Sequence, residues 1–186
     1  MMDHFREEAV SQHHKTLNEV VYYLSIVMMV FTGFIALLEI SGVISAATSG
    51  TSLLSLIPDV ILGLVSAALC VCIFLFRGRL RTEYEYNFTN GDLGFAAVYN
   101  NMKRKSLGNL NVKTVEAFGP VNSGAFNRYV SMPGAKQTRW FLNRDGNLYF
   151  FFFQKEGNKR VIVFEPSPEM VEDIKLYLPR GVYQEH

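Results

Sequence analysis

Residues 20–40 and 53–76 are almost continuously apolar, and no other feature of this 186-residue chain restricts its fold as strongly. Each run is long enough to cross a bilayer core, which takes about 20 apolar residues in a helix. The first carries Glu39 near its end. The second is interrupted only by Pro58 and Asp59 near its start. A helix at the surface of a soluble protein keeps a polar face, and neither run has one. Residues 20–76 are therefore expected to form a membrane α-helical hairpin. The connector Ser41 to Ser52 contains no Lys or Arg, whereas Arg6 and Lys15 precede the hairpin and Arg77, Arg79 and Arg81 follow it closely. By the positive-inside rule these flanking basic residues put both termini in the cytoplasm of a multi-pass protein of the cell membrane.

Smaller features of the hairpin have structural readings. Gly63 and Ala67 form a small-xxx-small pair, which lets two helices approach closely in lipid. Packing against the first helix explains them as well as homo-oligomerisation does. Glu39 and Asp59 lie one or two turns from the connector, where water reaches them. Cys70 and Cys72 are apolar filler or, less economically, acylation sites. Ahead of the hairpin, residues 1–19 place Phe5, Ala9, Val10, His13 and Leu17 at helical spacing. This predicts an amphipathic helix at the inner membrane surface. The adjacent His13 and His14 would point apart on that helix and be solvated.

Residues 82–186 read as a cytoplasmic α+β domain. Tyr84 to Thr89 alternates as a strand does, and Asn90-Gly91 is a tight-turn signal. Asp92 to Tyr99 is a second strand or, from Phe95, a helix. Lys103 to Asn109 is a further strand, while Val112 to Phe118 fits either period. Val121 to Gln137, rich in Gly, Ser, Asn and Pro, reads as a long loop. Thr138 to Leu142, Leu148 to Gln154 and Lys159 to Phe164 are expected to form an antiparallel meander joined by turns at 143–147 and 156–158. Ser167-Pro168-Glu169 opens a helix that buries Val171, Ile174 and Leu178, and Pro179 and Gly181 end it. The fold expected is an antiparallel sheet or partial barrel closed by a C-terminal helix.

Several stretches resemble an uncharacterised family of small bacterial two-helix membrane proteins: Tyr84-Glu85-Tyr86, Thr89-Asn90-Gly91-Asp92-Leu93, Lys103-Arg104-Lys105, Phe164-Glu165-Pro166 and Tyr177-Leu178-Pro179-Arg180. More loosely, the order of hairpin, strands and closing helix is similar to bacterial pleckstrin-homology-like (PH-like) domains attached to membranes. The resemblance implies a PH-like fold for the soluble part. It supplies no catalytic residue, because the family has no assigned function.

The residues argue for binding rather than catalysis. The histidines are His4, His13, His14 and the terminal His186, none within the body of the β domain, and the domain has no cysteine, so Ser-His-Asp and Cys-His arrangements are not expected there. No phosphate-binding glycine loop follows a strand. Neither a cofactor nor a metal centre is expected. From Arg77 onward there are 16 Lys and Arg against 11 Asp and Glu, too even a balance for nucleic acid. Three binding features stand out. Arg77, Arg79 and Arg81 flank the membrane. Lys103, Arg104 and Lys105 form a candidate patch for anionic lipid headgroups or a partner. Phe150, Phe151, Phe152 and Phe153 place aromatic rings on both faces of one strand. They mark either a strand covered on both sides or an interface with a protein partner or second copy. The function expected is a non-catalytic interaction module, anchored in the bilayer, that presents a PH-like domain at the inner leaflet. The alternative is a small accessory subunit of a larger transport or secretion assembly.

Overall fold

The computed structural model describes residues 4–13 and 15–185. The chain divides into two compact units, one of residues 14–81 and one that joins residues up to 13 to those from Thr82 onward. The first unit is a pair of helices, α1 (Lys15–Thr48) and α2 (Ile57–Phe76), separated by a short 3-10 turn at Leu53–Leu56. Both are long and apolar enough to cross a membrane. A second 3-10 turn, Arg77–Arg81, follows α2 directly. Much of the connector expected at 41–52 is helical, because α1 runs on to Thr48.

The second unit contains two four-stranded sheets. Sheet A has the order β1-β2-β3-β4, made of Phe5–Val10, Thr82–Thr89, Asp92–Tyr99 and Lys103–Asn111, and every pair in it is antiparallel. Asn90 and Gly91, both at positive φ, close the β2–β3 turn, as the dipeptide predicts. The bulge between Phe95 and Ala96 bends β3 against β4.

The amphipathic helix expected at the N-terminus is instead strand β1. Its side chains alternate between half-buried (Arg6, Glu8, Val10) and exposed (Phe5, Glu7, Ala9). The physical reason is tertiary. Six residues gain little as an isolated helix, whereas the open edge of β2 offers pairing along the whole segment, from Phe5 opposite Thr89 to Val10 opposite Tyr84. The boundary expected at residue 82 moves accordingly, since this unit is built from both sides of the helical pair.

Sheet B has the order β5-β7-β8-β6, made of Ala117–Pro120, Tyr149–Lys155, Asn158–Phe164 and Lys136–Trp140. Here the expected meander fails in one link. β7 and β8 form a hairpin, but β6 pairs with β8 and runs parallel to it. β5 occupies the other edge of β7, so the edge left for β6 is that of β8. The turn-like residues 143–147 serve packing instead of a tight hairpin. Gly146 lies so close to Glu165 that an added Cβ would collide with its carboxylate Oε1.

The segment expected as a loop at 121–137 holds a short helix, α3 (Gly124–Val130). The last helix, α4 (Pro168–Tyr177), starts as its sequence dictates. Ser167 Oγ accepts a hydrogen bond from the Met170 amide at 3.1 Å, and Pro168 fills the first turn.

Strand β7 separates two cores. Phe151 and Phe153 join Phe118, Phe164, Met170, Val171 and Ile174 with the inner residues of sheet A. Phe150 and Phe152 face the other way, onto Phe126, Tyr129 and Met132 of the α3 segment. Tyr129 stacks on Phe152 at 4.5 Å between ring centroids, and Phe126 lies 5.3 Å from Phe150. All four phenylalanines are buried, Phe153 the least at 9 % exposed. The interface reading of Phe150 to Phe153 is thereby corrected, since this strand is core on both faces.

Candidate functional site

β1 changes the chemistry available to this unit. With it come His4 and His13, so the unit does contain histidines, contrary to the expectation for a β domain that begins at residue 82. His14 and His186 lie outside the described residues. The inward side chains of β1 fasten α4. Arg6 Nε donates to Asp173 Oδ2 at 2.5 Å, which raises the guanidinium pKa further. Glu8 accepts from the Ser167 amide at 3.0 Å and from the Ser167 hydroxyl. The His4 ring meets Tyr177 edge-on at 5.9 Å.

The end of β1 borders an open cleft of about 700 Å³. His13 lies there, its Nδ1 3.7 Å from Asp145 and its Nε2 3.8 Å from Glu165. Its backbone amide donates to Asn143 Oδ1 at 2.8 Å, and Asn143 Nδ2 donates to Glu165 and to the Ser11 carbonyl. Glu8, Ser11, Ser167 and Glu169 also line it. The Ser167 hydroxyl is committed to Glu8 and to the first turn of α4. The Glu169 carboxyl is held below the usual carboxylate range by the amide at the start of α4, by Ser167 and by Arg6. Among the described residues, no group of three or more His, Cys, Asp or Glu is arranged to hold a metal ion. The contacts in this cleft bind chain segments to one another: Asn143 and Glu165 hold Ser11 and His13, and Glu8 holds Ser167.

A second polar pin joins the two sheets. The buried Tyr86 hydroxyl donates to the Trp140 carbonyl and accepts from the Glu165 amide at 3.3 Å. Burial pushes the Tyr86 phenol well above its ordinary pKa, so it stays neutral and keeps its proton for that bond.

The three residues of the basic patch separate. All lie exposed on β4, the outer strand of sheet A. Arg104 reaches Glu85 at 2.8 Å and Glu7 at 3.8 Å. Lys103 and Lys105 flank it in sequence and therefore project from the opposite face of the strand. Beside them Met102 is 87 % exposed, the most exposed of the large apolar side chains described. Composition flagged the lysines. Met102 was missed because a single methionine between polar residues carries no periodic signal.

In the helical unit, Arg77 and Arg79 lie over the rings of Phe74 and Phe76. Arg81 lies 3.8 Å over Tyr22 and reaches Glu19 at 3.2 Å. Gly63 is buried, and an added Cβ would fall 3.1 Å from the Glu39 Cβ. The small residue thus serves packing within the chain. Ala67, half-buried, lines the same groove as Glu39, Asp59 and Gly63. Cys70 donates to the Met29 carbonyl at 3.5 Å, and Cys72 is exposed.

Two sheets closed by a capped C-terminal helix, with a helical pair inserted after the first strand, define a PH-like domain joined to a hairpin. The family model described as "Bacterial PH-like domain (DUF6106)" matches residues 2–184, and the chain belongs to that family. The match takes in both β1 and the helical pair. No curated protein and no solved structure matches the chain.

Proposed function

We propose that this protein is a membrane-anchored, non-catalytic interaction module: α1 and α2 embed in the bilayer and hold the PH-like unit at the cytoplasmic leaflet. One observation carries the reading. β1 and β2 are hydrogen-bonded neighbours over six residue pairs, yet the whole helical pair lies between them in the chain. Any insertion that leaves them paired must bring the chain back to the side it left, so the two helices cross as a hairpin. The Lys and Arg of the flanks make that side the cytoplasm. The surface of the helices supports the same reading. Val27, Phe31 and Leu64 are each more than half exposed. Each large apolar side chain left in water forgoes roughly 1.5–3 kcal/mol, and a bilayer removes that cost for the whole pair.

Labelling tests the topology. With Cys70 and Cys72 replaced by Ser, a cysteine at Ser45 should react with an impermeant reagent from outside intact cells. A cysteine at Asn158 should react only after lysis. The reverse pattern would refute the arrangement.

A further inference from the structure

We propose that the β3–β4 tip, through Met102, Lys103 and Lys105, docks onto the anionic leaflet in which the chain itself is anchored. The proposal rests on the anchored reading above and adds a lipid-contacting surface to it. Strand register provides the argument. β2 begins at Thr82, the residue after the Arg77–Arg81 turn that continues α2. Thr82 pairs with Tyr99, and Tyr99 pairs with Lys103. Two steps across a sheet span about 10 Å, so the Lys103 backbone lies about that far from the point where the chain enters β2. On the other flank, Val10, the last residue of β1, pairs with Tyr84. Both connections to the helical pair therefore leave from the end of sheet A that carries the β3–β4 tip.

The tip suits a headgroup layer. Asn100 and Asn101 turn the chain with φ of 51° and 52°, and the Met102 amide donates to the Tyr99 carbonyl at 3.1 Å. The tip is thus a hydrogen-bonded turn. A lone exposed apolar side chain at a surface is ordinary. Here the methionine stands beyond two exposed lysines, and the arginine between those lysines is withdrawn to the other face by Glu7 and Glu85. An apolar side chain can enter the boundary between headgroups and acyl chains while lysines beside it meet lipid phosphates. The basic run accordingly divides by face, with Lys103 and Lys105 for lipid and Arg104 for the sheet.

The test uses the full chain in nanodiscs of phosphatidylcholine, with or without phosphatidylglycerol. Cys70 and Cys72 are replaced by Ser, and Met102→Cys carries an environment-sensitive fluorophore. The expected result is a blue-shifted probe, quenched by brominated lipid, in the anionic discs. High salt should return it to water. Lys103→Gln with Lys105→Gln should lower the ratio of docked to undocked tip by roughly thirty-fold, whereas Arg104→Gln should leave it docked. Amide hydrogen exchange of the unsubstituted chain provides a second readout, with protection at Tyr99 to Lys105 expected only in anionic discs. A wet probe and equal exchange in both discs, or docking that survives loss of both lysines, overturns the proposal while the anchored reading stands. Failure of the chain to enter discs at all overturns both.

Discussion

Phe31 and Phe151 are the same side chain in opposite settings. On α1, Phe31 is 57 % exposed, with Val27 and Leu64 exposed around the same pair of helices. On β7, Phe151 is fully buried and stacks 4.7 Å from Phe118 and 5.2 Å from Phe164. The helical unit turns its apolar surface outward, and the β unit turns it inward. One chain thus carries two opposite arrangements of apolar side chains, and the change falls within the few residues between Phe76 and Tyr84. The cation–π contacts of Arg77 and Arg79 with Phe74 and Phe76 and the Arg81–Tyr22 stack fall in and next to this stretch.

The contrast is sharpest in truncation. Phe151→Ala should destabilise the β unit by about 3–5 kcal/mol, with Phe152→Ala close behind because α3 covers that face too. Phe34→Ala, on an exposed surface of α1, should leave the β unit's denaturation midpoint unchanged. Chemical denaturation in detergent, followed through Trp140 fluorescence, reads both. A large loss from Phe34→Ala, or none from Phe152→Ala, would break the comparison.

Next in size is the polar pin inside the β unit. Tyr86→Phe leaves the Trp140 carbonyl and the Glu165 amide without their partner and should cost about 1–3 kcal/mol. It should also change the alkaline limb of stability. The folded phenol pKa is raised, so the unfolded chain loses its proton first. The contribution is whole below the unfolded pKa of about 10 and is lost as pH rises toward the folded value. Denaturation midpoints against pH should fall less steeply at the alkaline end in the variant.

Glu8→Ala removes two acceptor contacts to Ser167 and should cost about 1–2 kcal/mol. Faster amide exchange in β1 and the first turn of α4 would report it, with β7 unaffected. The smallest effect is at Glu169, which is solvent-exposed. Its folded pKa is lowered, so its contribution is present above the ordinary carboxylate pKa and is lost as pH falls through the folded value. Glu169→Gln should slightly flatten the acid limb. A steeper acid limb would mean that the carboxylate does not stabilise the start of α4.

The features that the sequence specifies locally were legible in it. Long, almost continuously apolar runs identified α1 and α2. Asn90-Gly91 fixed the first hairpin, and Ser167-Pro168-Glu169 fixed the start of α4. The double-sided aromatic strand left cover within the domain and an interface both open; Phe126, Tyr129 and Met132 cover the Phe150 and Phe152 face, and the Phe151 and Phe153 face packs with Phe118, Phe164 and α4. What escaped was non-local. Phe5 to Val10 fits a helical period when read alone, and the edge that makes it a strand lies beyond the whole helical pair in the chain. The same separation hid His4 and His13 from the β unit. β6 escaped for a related reason. Asp145-Gly146 has turn chemistry, but Gly146 is there to admit Glu165, and no local pattern distinguishes the two uses. The basic run at 103–105 was visible in composition, whereas the pairing of Arg104 depends on Glu7 and Glu85, which reach it from two other strands.

The central claim is that the PH-like unit is discontinuous in sequence and needs β1 to be whole. The direct measurement compares two soluble chains: residues 82–185 alone, and residues 4–13 joined to residues 82–185 by a short flexible loop in place of the helical pair. Val10 and Tyr84 are paired neighbours, so such a loop spans the gap without strain. Thermal unfolding should show one cooperative transition for the joined chain. The truncated chain should be far less stable or unfolded, with exposed aromatic residues on β2 and an unpaired Asp173. Equal melting temperatures for the two chains would show that β1 is dispensable and would contradict the account.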